Sequence, residues 1–503
     1  MTAVSAPKTI KARPDLLRNC LALVLGSLLP LAFAPYALWP LAILLPALLI
    51  FLLQRELSVR QVFIAGWFFG VGYFAFGVYW VYNSLHDFGM AAPPVAAAIT
   101  ALLIAILALF PAMALACWRL ASLRFGNRAL WLLPLLWFGF EWLRGWILTG
   151  LPWLSLGYSQ TDSALAGYAA LIGVYGIGAL CMLMAIALVL VVRDRRYAWS
   201  LLLLAIPFGG SLLIQVEWTH PQGNPLRVTM VQGNIPQAIK WKHDQRQNIF
   251  DIYWRQTLQH WDSDLIVWPE TALSGTSEEI EATLLQPMAR VASENNSNIL
   301  TGLVMSQRDE GIFYNSLMLL GSNSGIYHKR HLVIFGEYYP MRWLLDFLRN
   351  WINIPYSDLT PGPQQQPLMQ VGDNTLGLSI CFEDVFSRDV MLALPQANLL
   401  VNVSNDAWFG DSSAPQQHLQ IAQMRSLESG RAMVRSTNTG VSAFIDHKGR
   451  IQQQAAQFKT ESLSRQITGR SGTTPFYYFA KIQAWLALIF IAVIFILSRR
   501  KTA

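Results

Sequence analysis

Long apolar runs alternate with short loops along the chain, and the positive charge falls in every second loop. A transmembrane helix needs about 20 mostly apolar residues. Runs approaching that length cover 15–33, 37–53, 61–82, 92–117, 129–147, 165–192, 198–215 and 477–498. Only 13% of the chain is charged and 53% is hydrophobic, against roughly 25% charged in soluble chains. An integral membrane protein is therefore expected. The first run has basic residues ahead of it but no small-residue cleavage pattern leading into soluble sequence. It is read as an uncleaved helix and not as a signal peptide.

Lys and Arg accumulate in the cytoplasmic loops of membrane proteins. Here they fall at Lys8, Lys11, Arg13 and Arg18, at Arg55 and Arg60, at Arg119, Arg124 and Arg128, at Arg193, Arg195 and Arg196, and at Arg499, Arg500 and Lys501. The alternate loops 34–36, 83–91 and 148–164 carry none. With about eight spans, both termini are expected in the cytoplasm and segment 217–476 outside. The organisation expected is a membrane domain of seven helices over 1–216, an external domain over 217–476, and a last helix with a cytoplasmic tail over 477–503. The net charge of +7 owes much to these clusters. No basic stripe interleaved with aromatics marks a nucleic-acid surface.

Cys20, Cys117 and Cys181 lie in or beside apolar runs, and Cys381 alone lies in the external segment. Extracellular structural cysteines are normally paired. Cys381 has no partner in its domain, so it is either a buried inert thiol or a reactive one. The external segment alternates strand-like runs (226–232, 263–268, 299–305, 313–320, 325–328, 376–380, 398–403 and 440–446) with helical stretches at 242–261, 277–294 and 415–434. That alternation predicts an α/β layered domain.

Three strings end an apolar strand on a polar group: "DLIVWPETAL" with Glu270, "YHKRHLVIFGEYYP" with Lys329 and Glu337, and "LGLSICFEDVF" with Cys381. Ligand sites of α/β sheets gather at such ends. A thiolate attacks carbonyl carbon once its proton is lost. A carboxylate such as Glu270 can take that proton and return it, and an ammonium such as Lys329 can hold the oxyanion. A helix starting near Asp384 would lower the thiol pKa, and Glu383 would need a partner of its own. Taken singly, each string also reads as an ordinary turn, a solvated basic run or a core-filling thiol. Their combination and order favour chemistry. The eight His form no ligand-spaced cluster with Cys or acids, and no glycine-rich phosphate loop occurs, so neither metal nor cofactor is expected.

In that order and context, Glu270, Lys329 and Cys381 resemble the Glu–Lys–Cys triad of the nitrilase superfamily. Within the membrane frame the whole chain resembles the apolipoprotein N-acyltransferase family, enzymes of the bacterial inner membrane. The matching strings are "VQGNIPQAIKW", "VWPETAL", "YNS", "YHKRHLVIFGEYYP", "SICFED", the stretch 401–446 and "TGLPWLSLGYSQ". Ile334 stands where the family has proline. The resemblance implies a nitrilase-like α-β-β-α sandwich on an all-α membrane domain of about eight helices. It implies ping-pong transfer of an acyl chain from a phospholipid to the α-amine of an S-diacylglyceryl cysteine on an apolipoprotein, through a thioester on Cys381. It makes Glu270 the base and then acid, Lys329 the oxyanion partner, and Glu337 and Glu383 supporting acids. It puts Trp241, Asn315, Gly150 and Trp153 at the substrate site, with the catalytic domain on the periplasmic side.

Residues 343–352 place Trp343, Leu344, Phe347, Leu348, Trp351 and Ile352 at helical spacing. This suits an interfacial helix, a lid or acyl-chain wall with Trp343 and Phe347 toward substrate, and equally a helix packed on the core. From the residues alone two other functions stay open. One is a membrane-anchored amidase acting on a small amide. The other is a non-catalytic transporter or scaffold, for which Glu141 and Arg144 are the intramembrane charges to consider. The charge asymmetry yields a direct test. A reporter active only outside the cytoplasm should be active when fused after residue 217 or 470 and silent after 195 or 500; the reverse pattern would overturn the topology.

Overall fold

The computed structural model describes residues 12–54, 56–307, 311–338 and 358–498. Trp343, Phe347 and the rest of the expected lid lie outside the described residues. The N-terminal part is helical throughout: α1 (Ala12–Leu28), α2 (Leu41–Leu53), α3 (Val59–Gly77), α4 (Pro93–Leu107), α5 (Leu109–Phe125), α6 (Leu133–Arg144), α7 (Ala169–Val192) and α8 (Ser200–Leu213). Among the described residues, Pro14–Ala32, Val59–Gly77, Pro93–Arg144 and Ala164–Val192 are long and apolar enough to cross a membrane, and Leu41–Leu53 and Tyr197–Leu213 are shorter apolar helices. The run expected as one helix over 92–117 is broken at Ala108. Pro111 has no N–H to offer Leu107, and its ring crowds that carbonyl. The helix expected over 129–147 is regular only over α6.

These helices pack through small residues. α1 and α3 approach so closely that a Cβ on Gly72 would lie 2.8 Å from Ser27 N, and one on Gly26 would lie 2.8 Å from the carbonyl carbon of Phe69. On another face of α3, a Cβ on Gly70 would meet Ala108 Cα at 2.6 Å. In a membrane, where lipid is as apolar as leucine, such backbone approach is what holds helices together.

The rest of the described chain forms two six-stranded sheets and a two-stranded pair, His220–Pro221 with Arg470–Ser471. The strands of the two sheets are β1 (Leu226–Gln232), β2 (Leu265–Val267), β3 (Asn298–Gln307), β4 (Ile312–Gly321), β5 (Gly325–His328), β6 (Met369–Val371), β7 (Asn374–Ile380), β8 (Leu399–Ser404), β9 (Met433–Thr437), β10 (Ala443–Ile445), β11 (Ile451–Gln454) and β12 (Glu461–Ile467). One sheet runs β12-β1-β2-β3-β4-β5 and the other β11-β10-β9-β8-β7-β6. In each, the three central strands are parallel: β1, β2 and β3, and β7, β8 and β9.

The sheets face each other across a dry core that includes Val228, Val267, Leu317, Leu378, Val401 and Val434. α9 (Arg246–Thr257) and α10 (Gln286–Glu294) cover the outer face of the first sheet through Ile249, Tyr253 and Met288. α11 (Ala414–Ser429) covers the second through Leu419 and Ala422. The layers are α-β-β-α, attached to a helical N-terminal part. The expected helix over 415–434 ends at Gly430, whose φ of 65° closes it, and the chain turns into β9.

α11 is the join between the two parts. It is polar, yet buried almost all round, because its other side meets the helical part. Gln417 accepts from Trp153 Nε1 at 2.7 Å. Gln420 accepts from Ala34 N at 3.2 Å, and Glu428 from Val174 N at 2.8 Å. Arg425 pairs with Glu428 at 3.2 Å and reaches Tyr158. α12 (Pro475–Ser498) then rejoins the bundle, where Phe476 sits against Gly173 and Phe490 against Gly139.

The tight α1–α3 crossing leaves no room for a side chain. Gly72→Leu should cost about 1–3 kcal/mol, as overpacking does, and lower the thermal unfolding midpoint of the detergent-solubilised protein. Leu102→Ala, on an exposed face of α4, should leave it unchanged. Equal midpoints for Gly72→Leu and the parent protein would contradict this packing.

Candidate active site

The two sheets deliver their polar groups to one place because Glu270 and Cys381 both follow the C-terminal ends of parallel central strands, β2 and β7. Beyond Val267 the chain turns sharply, with Thr271 at φ 45°. Gly302 on β3 permits that turn. A Cβ there would meet Pro269 O at 2.6 Å and the carbonyl carbon of Glu270 at 2.8 Å. Glu270 is buried and both its oxygens are used. Oε1 accepts from Lys329 Nζ at 3.2 Å and from Asn315 Nδ2 at 2.7 Å, and Oε2 accepts from Asn405 N at 2.8 Å.

Lys329 follows the edge strand β5, and its main-chain N–H donates to Asn315 O at 2.8 Å. Its side chain is 1% exposed. Nζ also pairs with Glu337 Oε1 at 2.9 Å. Glu337 is fixed in turn by Val333 N at 2.8 Å on Oε2 and by Asn315 Nδ2 at 2.8 Å on Oε1. Asn315 thus bridges the two carboxylates that share the ammonium. Burial works to strip Lys329 of its proton, but Glu270 and Glu337 outweigh it and raise the pKa. Burial works to raise Glu270, yet Lys329, Asn315 and Lys240 hold its carboxyl below the usual range.

Cys381 is half-buried and left-handed, with φ 52°. Strain of this kind gathers at functional sites. The turn it opens, Cys381–Val385, is a single short 3₁₀ stretch, too short for the helix expected to lower its pKa. Burial and the Glu270 charge push the thiol well above its ordinary value, with Lys329 and Ser404 opposing. The resting pair is a thiol beside a carboxylate, and not a thiolate.

Glu383 has partners of its own. Oε2 accepts from Ile380 N at 2.7 Å and Tyr327 Oη at 2.9 Å, and Oε1 from Arg330 N at 2.6 Å and His331 N at 3.2 Å. It ties the loop after Lys329 to the loop after Cys381. Burial raises its pKa against these donors.

The remaining expected residues are spread wider. Asn315 belongs to the cluster, and Trp241 is half-buried beyond the turn Gln237–Lys240. Trp153 lies in the join between the two parts, packed on Trp80 at 5.0 Å and His418 at 5.3 Å. Gly150, with φ 93°, forms the bend ahead of it. Arg144 and Glu141 hold this loop: Arg144 donates to Leu151 O at 2.8 Å and to Trp153 O at 2.5 Å, and Glu141 accepts from Leu156 N at 2.7 Å. These two charges staple a loop.

The sequence did not point to a second buried set behind the cysteine. His418 meets Asp384 at 2.8 Å and Asp406 at 3.1 Å. Arg435 meets the same acids at 3.1 and 3.2 Å and also contacts Asn402. Ser404 donates to Asp406 at 2.6 Å, and Asn402 to Cys381 O at 3.3 Å. Burial and Arg435 work against protonating His418, but the two aspartates prevail and raise its pKa. Residues 402–435 are about as rich in charge as the rest of the external segment, so the sequence carried no signal that these groups are buried together. Among the described residues no group of three or more His, Cys, Asp or Glu is placed to hold a metal ion. Chemically, the arrangement offers a nucleophile, a proton acceptor and a fixed cation.

Comparison with known proteins agrees with both parts. Residues 25–187 match the family model of the apolipoprotein N-acyltransferase N-terminal domain, and residues 227–475 match that of carbon-nitrogen hydrolases. The chain is 42% identical over 464 residues to the apolipoprotein N-acyltransferase of Methylococcus capsulatus, covering 91% of each chain. It is 40% identical over 480 residues to that of Nitrosomonas europaea, covering 94% of this chain and 96% of the relative. Among solved structures, the C. elegans NitFhit protein aligns at TM-score 0.40 and 12% identity over 53% of this chain and 64% of its own. Saccharomyces cerevisiae Nit3, a nitrilase-superfamily member, aligns at 0.37 and 17% over 52% and 94%.

Gly302 offers a test of the geometry. Gly302→Ala must push the Glu270 turn aside, and a displacement near 1 Å costs on the order of 10²-fold in turnover. Expression and circular dichroism should be retained. Parental turnover in this variant would show that the turn has slack and that Glu270 is not held as described.

Proposed function

The chain belongs to the apolipoprotein N-acyltransferase family, and on that premise we propose that it moves an acyl chain from a phospholipid to the α-amine of an S-diacylglyceryl cysteine through a thioester on Cys381. The observation that carries the reading is the shared hydrogen-bonded cluster of Glu270, Lys329, Asn315 and Glu337 next to a thiol held protonated by burial and the Glu270 charge.

In the first half-reaction the sulfur attacks the ester carbonyl as its proton passes to Glu270. The oxyanion forms beside Lys329, whose charge is fixed before the reaction begins. On collapse Glu270 protonates the departing glyceryl oxygen, leaving lysophospholipid and the thioester. In the second half the neutral amine attacks, Glu270 takes the nitrogen proton, and the sulfur leaves and is reprotonated. Glu337 and Asn315 keep Lys329 and Glu270 in register, and Glu383 keeps the two loops together. Trp241 and Asn315 border the substrate, and Gly150 and Trp153 support the site from the membrane side.

A phospholipid donor suits a catalytic layer joined to an apolar bundle on both sides of its sequence. The domains are 1–216, 217–476 and 477–503, with the layered domain on the periplasmic face of the bacterial inner membrane and both termini in the cytoplasm. The small-amide alternative lacks a reason for that anchorage.

The test sets the two donors side by side. Protein in phospholipid vesicles with a diacylated lipopeptide should yield N-acylated lipopeptide and lysophospholipid, and Cys381→Ala should reduce this to background. Glu270→Gln and Lys329→Met should each lose on the order of 10²-fold or more. Hydrolysis of a small amide with the lipopeptide left unmodified would replace this function by the amidase reading.

A further inference from the structure

The mechanism above uses one lysine, but the site holds two. Lys240 ends the short turn Gln237–Lys240 and is 2% exposed. Its Nζ donates to the main-chain oxygen of Glu270 at 3.1 Å, and its own carbonyl accepts from Ser274 Oγ. Both ends of the residue are therefore tied to the turn that carries Glu270. Unlike Lys329, Lys240 forms no ion pair among the described residues. A buried ammonium without a carboxylate is costly, and one kept beside a reacting centre calls for an explanation.

The charge balance supplies one. Glu270 and Glu337 bring two negative charges to a single ammonium, that of Lys329. The Asp384–His418–Asp406–Arg435 set behind Cys381 is balanced within itself when His418 is protonated. The reacting cluster is left with an excess negative charge, and loss of the Cys381 proton moves that charge toward sulfur. We propose that Lys240 is a second cation of the site: it positions Glu270 through the main chain and offsets the negative charge that develops on Cys381 as its proton passes to Glu270. This rests on the reading of Cys381 as nucleophile and Glu270 as proton acceptor.

The electrostatics agree with the geometry. Burial lowers the Lys240 pKa to about 8, against the attraction of Glu270 and Cys381, the titratable groups it faces. Lys329 and Glu337 lie across the Glu270 carboxylate. Lys240 is charged at neutral pH and loses its proton as pH rises through about 8. Acyl-enzyme formation should therefore fall on the alkaline side in that range.

The experiment uses the full-length protein in detergent and reads two signals on the Cys381 peptide by mass spectrometry. One is alkylation by iodoacetamide across a pH series, which needs no lipid chemistry. The other is acyl-adduct formation from phospholipid. Lys240→Met should slow Cys381 alkylation roughly tenfold below about pH 8, where the parent's Lys240 is charged, the effect of about one unit in the thiol's pKa there, and slow the acyl adduct comparably. Lys240→Arg keeps the charge and should restore the alkylation curve while moving the alkaline limb of acylation upward. Should Lys240→Met show no cooperative unfolding transition, Lys240→Arg carries the test alone through that limb.

A folded Lys240→Met protein with an unchanged alkylation curve would overturn the proposal, as would an alkaline limb in Lys240→Arg identical to the parent's. A shifted curve in Lys240→Met, with no acyl adduct even in the parent, would uphold the role of Lys240 toward Cys381 while removing the phospholipid reaction. The two readings therefore fail separately.

Discussion

An ammonium that is 1% exposed, as in Lys329, is held firmly charged by carboxylates buried with it. Removing one partner of a buried pair costs about 3–5 kcal/mol, because the other charge is left uncompensated. The fold therefore has to bring Glu270 and Glu337 to the same point, and they come from different segments. Glu270 follows a central strand, Glu337 sits in the turn after Lys329, and Asn315 reaches both from β4. The sulfur arrives from the facing sheet. With Lys329 neutralised by two carboxylates, burial and then the Glu270 charge hold the Cys381 thiol protonated. An exposed thiolate would be more open to oxidation than a buried thiol.

The second constraint is mechanical. The site must hold its geometry while joined to a helical bundle that meets lipid. The join combines polar groups with an apolar seam, in which Ile421, Met424 and Leu427 of α11 share one core with the bundle. α11 turns one face to the sheet and lends glutamines, Arg425 and Glu428 to loops of the bundle. Behind Cys381, His418 lies between two aspartates on one side and the Trp153 ring on the other. A chain of contacts thus runs from the loop stapled by Arg144 and Glu141 to Ser404 and the cysteine. A partly satisfied polar network is costly, and most of these groups are paired, with Glu141 Oε2, Arg425 Nε and Arg435 Nε the exceptions.

Much of this was legible in sequence, and the gaps have physical causes. The apolar runs announced the bundle, and Gly325–His328 and Leu226–Gln232 fall where their alternation put them. The order Glu270, Lys329, Cys381 pointed to the cluster, since each ends an apolar strand. β9, "MVRST", was hidden because its Arg435 is a buried ion-pair member and reads as a surface charge; the preceding helical pattern seemed to run through it. Lys240 escaped for a similar reason, being an ordinary polar position in a short turn until its burial is known. Trp153 was expected on the membrane loop beneath the site, and it sits in the join between the two parts. A tryptophan beside an apolar run carries the same signal in either place.

The central claim is that Cys381 accepts the acyl chain before the amine arrives. Intact mass of the purified protein, incubated with phospholipid of one defined acyl composition and no acceptor, tests it directly. The account predicts a mass gain of one acyl group, mapped to Cys381 and discharged when a diacylated lipopeptide is added. Lipopeptide acylation at full rate with no adduct on Cys381 at any time would contradict it.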